Sequence, residues 1–216
     1  MVRTEDTGKQ LEMAICLAYN TPYVGPYKYG MEEPERLAPR LRNLLPPLEG
    51  VYHSAEKGAV YDFTAPGEQH LSAKSTKKTG AKVAPQRVGQ ASVPDFCDRM
   101  GLPQMKPDQL KAYIQENIES LLPSFEEWTF DCPILFFDKQ KDSLSLINRE
   151  SNFRWAGRTF TWTRPADKWA NSSTLKVDGV SVMEIQFHTT RKNVVCRWCF
   201  EKVLSLHSEH LSVVLA

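Results

Sequence analysis

The spacing of apolar residues predicts that the chain opens with a helix. In EDTGKQLEMAICLAYN, Leu11, Ala14, Ile15 and Ala18 recur at three- and four-residue intervals and fall on one stripe. A second helix is expected in PERLAPRLRNLL, opened by Pro34 and closed before Pro46-Pro47. The period then shortens to two: GAVYDFTA and QHLSAKS read as strands joined by a turn at Pro66-Gly67. TKKTGAKVAPQRVGQ has the glycine, proline and polar content of a loop. PDQLKAYIQENIESLLPSF predicts one long helix with Leu110, Tyr113, Ile114, Ile118, Leu121 and Leu122 on its apolar face. Strands are expected in PILFFD, SLSLIN, RTFTWTR, SVMEIQFH and NVVCRWCF, and a last short helix in EKVLSLHSEHL. Helices, a hairpin, a helix and then mainly strands predict a single α+β (mixed α/β) domain over the whole chain, with a central mixed β-sheet flanked by helices.

Composition narrows this picture further. A chain of 216 residues, 41% hydrophobic and 25% charged, can bury one sizeable core. No window approaches the ~18–20 apolar residues of a membrane span. The N-terminal MVRTEDTGKQLEM has no apolar signal core, and five cysteines fit free thiols in a reducing compartment, so a cytoplasmic, intracellular protein is expected. A net charge of +1 gives no global field for an anionic partner. The distribution does: from Gln69 to Pro94 there is no acid, but there are Lys74, Lys77, Lys78, Lys82 and Arg87.

Chemistry concentrates at the hairpin. Side chains alternate faces along a strand, so Leu71 and Ala73 are expected toward the core, with His70, Ser72 and Lys74 on the other face. In AVYDF, Tyr61 and Phe63 should point one way, and Val60 and Asp62 the other. A turn centred near Gly67 sets Asp62 opposite Ser72 and diagonal to Lys74, within reach of a shared ligand. A carboxylate and a lysine beside a basic loop suit phosphodiester hydrolysis. The carboxylate would hold a hard cation such as Mg²⁺, which acidifies the attacking water and neutralises charge on the phosphate. The lysine would orient that water or stabilise the transition state, and Lys77, Lys78, Lys82 and Arg87 would grip the flanking backbone. An ordinary surface hairpin with an Asp–Lys pair and a solvated lysine loop has the same pattern.

Asp62 followed by Ser72-Ala73-Lys74 resembles the PD-(D/E)XK nuclease superfamily, and more narrowly the type II restriction endonucleases in which serine replaces the second acidic residue. The resemblance runs from Lys9 to Gln90. It implies a restriction-endonuclease-like sheet, a Mg²⁺ site at Asp62, Lys74 serving the water, and Ser72 holding a metal-bound water. Glu12 matches the glutamate that such enzymes carry on an N-terminal helix, and is implied as catalytic and as a metal ligand. Tyr61 stands where the family has proline, and only Gln86 and Gln90 stand where serine variants carry a relocated acid. The missing carboxylate would come from Glu12, Glu68 or Glu184.

Residues Glu150 to Ala216 are expected to complete the sheet and recognise DNA. In VDGVSVMEIQFHTTRKN, Met183, Ile185 and Phe187 form the apolar side, leaving Glu184, Gln186 and His188 together with Arg191 beyond. These suit phosphate or base edges. A six-residue gap from Asp178 is short for a second metal site. FRWAGRTFTWTRPADKWANSSTLK interleaves aromatic and basic residues, and Arg164, Asn171 and Gln186 are the candidate base readers. Cys196, Cys199, His207 and His210 make a formal C-x2-C-x7-H-x2-H set, but in a strand the two cysteines point to opposite faces and no glycine or proline supplies the turn of a zinc ribbon. The expected activity is Mg²⁺-dependent cleavage of double-stranded DNA by a homodimer. The alternatives are a repair or junction-resolving nuclease, and a non-catalytic nucleic-acid-binding protein with a small C-terminal zinc site.

Overall fold

The computed structural model describes residues 4–25, 30–55, 59–78, 80, 82–86, 89–188 and 193–216. In chain order the elements are α1 (Thr4–Tyr19), α2 (Glu32–Leu41), β1 (Tyr52–His53), β2 (Phe63–Ala65), β3 (Gln69–Thr76), β4 (Lys82–Val83), β5 (Gln90–Ser92), α3 (Val93–Arg99), α4 (Pro107–Glu116), α5 (Ile118–Phe130), β6 (Ile134–Asp138), β7 (Ser143–Arg149), β8 (Phe160–Trp162), β9 (Ser172–Val177), β10 (Val180–His188), β11 (Asn193–Cys199), α6 (Phe200–Leu206) and β12 (Leu211–Leu215). The class is α+β. The chain forms two compact units, each with its own sheet: residues 1–81, 130–150 and 211–216 make the first, and 82–129 and 151–210 the second. The motif region from Lys9 to Gln90 is divided between them after Ala81. Among the described residues no helix is long and apolar enough to cross a membrane.

In the first unit the strand order is β1-β2-β3-β6-β7-β12, with β3 and β6 parallel and the other neighbours antiparallel. Phe63 pairs with Leu71, so both lie on one face. They pack there with Leu11, Ala14 and Ile15 of α1 and Leu37 and Leu41 of α2. The hairpin between β2 and β3 turns through Gly67 (φ +74°) and Glu68 (φ +57°), both in the left-handed region, which glycine adopts without a steric penalty. An exposed network in which Arg36 and Arg40 both meet Asp142 joins α2 to the β6–β7 turn.

The second unit is wholly antiparallel: β4-β11-β10-β9-β8, with β5 also on β11. Asp178 (φ +50°) and Gly179 (φ +81°) form the two-residue turn of the β9–β10 hairpin, where two positive φ values match the twist of the strands. Arg158 and the Thr159 N–H hold the Asp178 carboxylate. The long helix expected from Pro107 to Phe125 is two helices. The chain leaves helical geometry at Asn117 (φ −115°, ψ +17°), whose side-chain amide donates to the Tyr113 carbonyl, while Ser120 Oγ donates to the Asn117 carbonyl. Polar side chains that bond to nearby backbone carbonyls compete with a helix that periodicity alone would continue. The strand β9 is absent from the sequence reading, because its alternation is masked by serines, threonine and lysine.

The cysteine–histidine set does not converge. Cys196 is fully buried opposite Ile185, whereas Cys199 lies on the other face, within the field of Lys82, Glu184 and Arg197. His207 stacks on Phe153 at 4.3 Å and meets the edge of Trp155 at 4.4 Å. Among the described residues no group of three or more His, Cys, Asp or Glu side chains could hold a metal ion.

The carboxylate of Glu126, 2% exposed, accepts the Phe153 N–H at 2.9 Å and the Trp155 Nε1–H at 2.8 Å. Glu126→Ala strands both donors and should cost about 3 kcal/mol in chemical denaturation, with Glu126→Gln costing less. His207 is buried, and among the described residues neither ring nitrogen has a hydrogen-bond partner. Burial, then the charge of Arg158, pulls its pKa down to about 4. The unfolded chain, with a histidine pKa near 6.5, takes the proton first as pH falls. This contribution to stability is therefore complete above about pH 6.5 and is lost toward pH 4. At about 1.36 kcal/mol per pKa unit, denaturation at pH 5 against pH 7 should show a loss of about 2 kcal/mol that is absent in His207→Phe.

Candidate active site

Asp62 lies at a bend immediately before β2, where the Ser54 N–H donates to its carbonyl at 2.9 Å and anchors its backbone beside β1. Continuing the Phe63–Leu71 register sets Asp62 across from Ser72. Three groups then meet one carboxylate oxygen, Asp62 Oδ2. The Ser72 hydroxyl donates to it at 3.0 Å and the Ala73 N–H at 2.8 Å, while Lys74 Nζ lies 3.6 Å away. Ser72 is fully buried, whereas the side chains of Asp62 and Lys74 are 20% and 21% exposed. Asp62 and Lys74 are thus held together on the side of the sheet away from Leu71, still open to solvent.

Tyr61 departs from the expected alternation. It stacks on His70 at 3.8 Å, nearly parallel, instead of sharing the face of Phe63. The reason is that β2 begins only at Phe63, so strand alternation does not extend back through the bend at Asp62. The Tyr61 hydroxyl donates to Asp131 Oδ2 at 2.6 Å. Asp131 is a second acid at this end of the sheet that the sequence did not single out. Its only signal is a position just ahead of PILFFD, and that strand's parallel pairing with β3 is a tertiary fact. Burial first, then Asp131, pushes the Cys132 thiol up. Lys74 opposes this and Asp62 adds to it, so both acids and the lysine act on one buried thiol.

The glutamates expected to supply the missing carboxylate are placed elsewhere. Glu12 is 5% exposed and binds Lys9 Nζ through both oxygens, at 2.9 and 2.8 Å. His53 Nε2 meets its Oε2 at 2.9 Å. Because the Val24 N–H donates to His53 Nδ1, the ring carries its proton on Nε2 and gives it to Glu12. His53 in turn packs on Phe63 at 5.1 Å, the face opposite Ser72. Among the described residues the polar contacts of Glu12 are to Lys9 and His53, not to Asp62, Ser72 or Lys74. Glu68 is exposed in the hairpin turn. Glu184 belongs to the second unit and binds Lys82 and Arg197.

Asp62 still fits Mg²⁺. Its Oδ1 has none of the three contacts made by Oδ2, and Mg²⁺ binds through one or two carboxylates while keeping several waters.

The expected DNA contacts are spread over both units. Lys77 is half-buried and Lys78 exposed just after β3. Lys82 is paired with Glu184, and Gln186 donates its amide to the same carboxylate. His188, Arg164 and Asn171 are exposed; Gln115 holds the Arg164 backbone carbonyl at 2.7 Å. Arg87 and Arg191 lie outside the described residues. Arg197, opposite Glu184, is a cation the sequence reading passed over, since NVVCRWCF reads first as a core strand.

No protein-family model matches the chain, and no solved structure matches it. It is similar to the type II restriction enzyme CviAII of Paramecium bursaria Chlorella virus 1, with 35% identity over 215 residues. That match takes in 98% of this chain but 63% of CviAII, so the chain spans somewhat less than two thirds of its relative's length.

Proposed function

We propose that this chain carries the catalytic centre of a sequence-specific, Mg²⁺-dependent endonuclease of double-stranded DNA, a type II restriction enzyme of the PD-(D/E)XK kind with serine at the second acidic position. The observation that carries this reading is the meeting of Lys74 Nζ and Asp62 Oδ2 at 3.6 Å, with Ser72 and the Ala73 N–H on the same oxygen. The similarity to CviAII over nearly the whole chain supports it from an independent direction.

In this reading Asp62 would hold the cation, its Oδ1 being the oxygen not engaged by Ser72, Ala73 and Lys74. When bound, Mg²⁺ supplies acidification of the attacking water and neutralisation of charge on the scissile phosphate. The rest belongs to the chain. Ser72 and the Ala73 N–H fix the carboxylate so that it does not rotate when substrate arrives. Lys74, held by Asp62, keeps its ammonium where negative charge develops on the phosphate or beside the attacking water. Lys77 and Lys78 contact the flanking phosphates. Glu12, as placed here, orients the helix and His53 behind the hairpin instead of binding the cation. Arg164, Asn171, Gln186 and His188 are the candidate readers of bases or backbone. Cleavage of both strands of a symmetric site favours a homodimer.

The test is incubation of plasmid DNA with the protein and Mg²⁺. Wild type should give discrete fragments. Lys74→Ala and Asp62→Asn should each lower the cleavage rate on the order of a hundred- to a thousand-fold or more, with thermal melting unchanged within a few degrees. Random nicking would favour a repair or junction-resolving nuclease, and plasmid left intact by wild type in Mg²⁺ or Mn²⁺ would remove catalysis from the reading.

A further inference from the structure

The sheet of the second unit has two unlike faces. Met183, Ile185, Phe187, Cys196 and Trp198 are buried on one. On the other, Glu184 stands between Arg197 of β11 and Thr174 of β9, and Lys82 enters from the edge strand β4. Glu184 is 8% exposed. Its Oε1 lies 2.8 Å from Lys82 Nζ, and its Oε2 lies 2.7 Å from Arg197 Nη2 and accepts the Gln186 amide at 2.9 Å. Burial works against the charge on Glu184, but the hydrogen bonds and charges of Lys82 and Arg197 outweigh it and hold the carboxyl below the ordinary glutamate range.

The group is therefore one anion answered by two cations. A closed structural ion pair would be neutral; this one keeps a positive charge. Both cations also remain about one-third exposed, Lys82 at 33% and Arg197 at 34%. The Arg197 Nε–H is buried and has no hydrogen-bond partner among the described residues, so the donors open to a ligand are those at the tip of the guanidinium. Holding one guanidinium nitrogen on Glu184 fixes the plane of the group. Less side-chain freedom is then lost when its remaining donors meet an anion.

We propose that Lys82 and Arg197 form a clamp for a phosphodiester of the DNA backbone, with Glu184 as the positioning residue that holds them. This rests on the reading of the protein as a DNA endonuclease. Glu184 makes no contact with DNA itself, since a carboxylate repels a phosphate; it acts through the two cations. Neither the Asp62 group nor any metal enters the clamp.

The experiment is a salt titration of binding to fluorescently labelled DNA duplexes, in EDTA so that binding is read without cleavage. Lys82→Ala and Arg197→Ala should each flatten the dependence of log K on log salt by about 0.9, for duplexes of unrelated sequence alike. Arg197→Lys should recover the slope without the full affinity. Glu184→Asp keeps the charge but draws it back, and should weaken binding several-fold at an unchanged melting temperature. The same change should have no effect on binding in a Lys82→Ala/Arg197→Ala background. Lys82 is partly exposed on a two-residue edge strand, so its variant decides the matter even if Arg197→Ala fails to fold. Unchanged slopes in a protein that binds duplex overturn the clamp and leave the endonuclease reading standing. A loss confined to discrimination between sequences makes Arg197 a base reader and likewise overturns the clamp. A wild-type protein that binds no duplex overturns both.

Discussion

One carboxylate oxygen organises the candidate active site. Asp62 Oδ2 takes a hydroxyl proton from Ser72 and an amide proton from Ala73, and has the Lys74 ammonium within 3.6 Å. All three groups come from consecutive positions of β3, and Asp62, at a bend and not within a strand, meets them together. A residue inside the ladder would direct its side chain along one face, whereas Asp62 reaches the backbone of β3 as well as its side chains. Serine at position 72 gives Asp62 a donor where an acid would oppose it. An aspartate or glutamate there would repel Asp62, and the pair would need a cation merely to coexist. A hydroxyl instead donates to Asp62, so the arrangement is self-consistent without metal and presents its other oxygen to a ligand.

The sheet then separates two carboxylates that a linear reading brings together. Glu12 and Asp62 are both acids near the hairpin, but Glu12 is bound to Lys9 and His53 on the side of Phe63, and Asp62 faces away with Ser72. Glu12 is 5% exposed, and a buried carboxylate needs compensation of the kind Lys9 and His53 provide. Its chemistry is thereby spent on holding α1 to β1. The acid that does share the solvent-open end, Asp131, is held by Tyr61, the residue just ahead of Asp62. A proline there would have no hydroxyl to hold it.

Charge in the second unit follows the same economy. Glu184 is surrounded by donors from three strands, and each of them would be a solvated surface group without it. Lys82 was legible as basic from its acid-free surroundings. Its partner lies about a hundred residues further along the chain, and no local pattern joins the two. The pairs join a buried carboxylate to cations about one-third exposed, and they set where a positive charge is kept.

Local periodicity determined much of the architecture. The apolar stripe of α1, the alternation in β3 and β10, the apolar run of β6 and the glycine at the β2–β3 turn are each dictated by side-chain spacing or by backbone sterics within a few residues. The meeting of Asp62, Ser72 and Lys74 was legible for the same reason, because a tight hairpin converts sequence distance into register. Tertiary structure decided what depends on distant partners. Asn117 ends a helix that the apolar pattern would have continued, since its amide finds a carbonyl one turn back. Two sheets form in place of one, with the motif region divided between their units. Glu12 turns to His53, Asp131 comes beside the hairpin through the parallel pairing of β6 with β3, and Arg197 finds Glu184 across a strand pair. A chain can state its own periodicity. The partner that satisfies a buried charge is chosen by packing, because the cost of leaving that charge alone is felt only once water has been excluded.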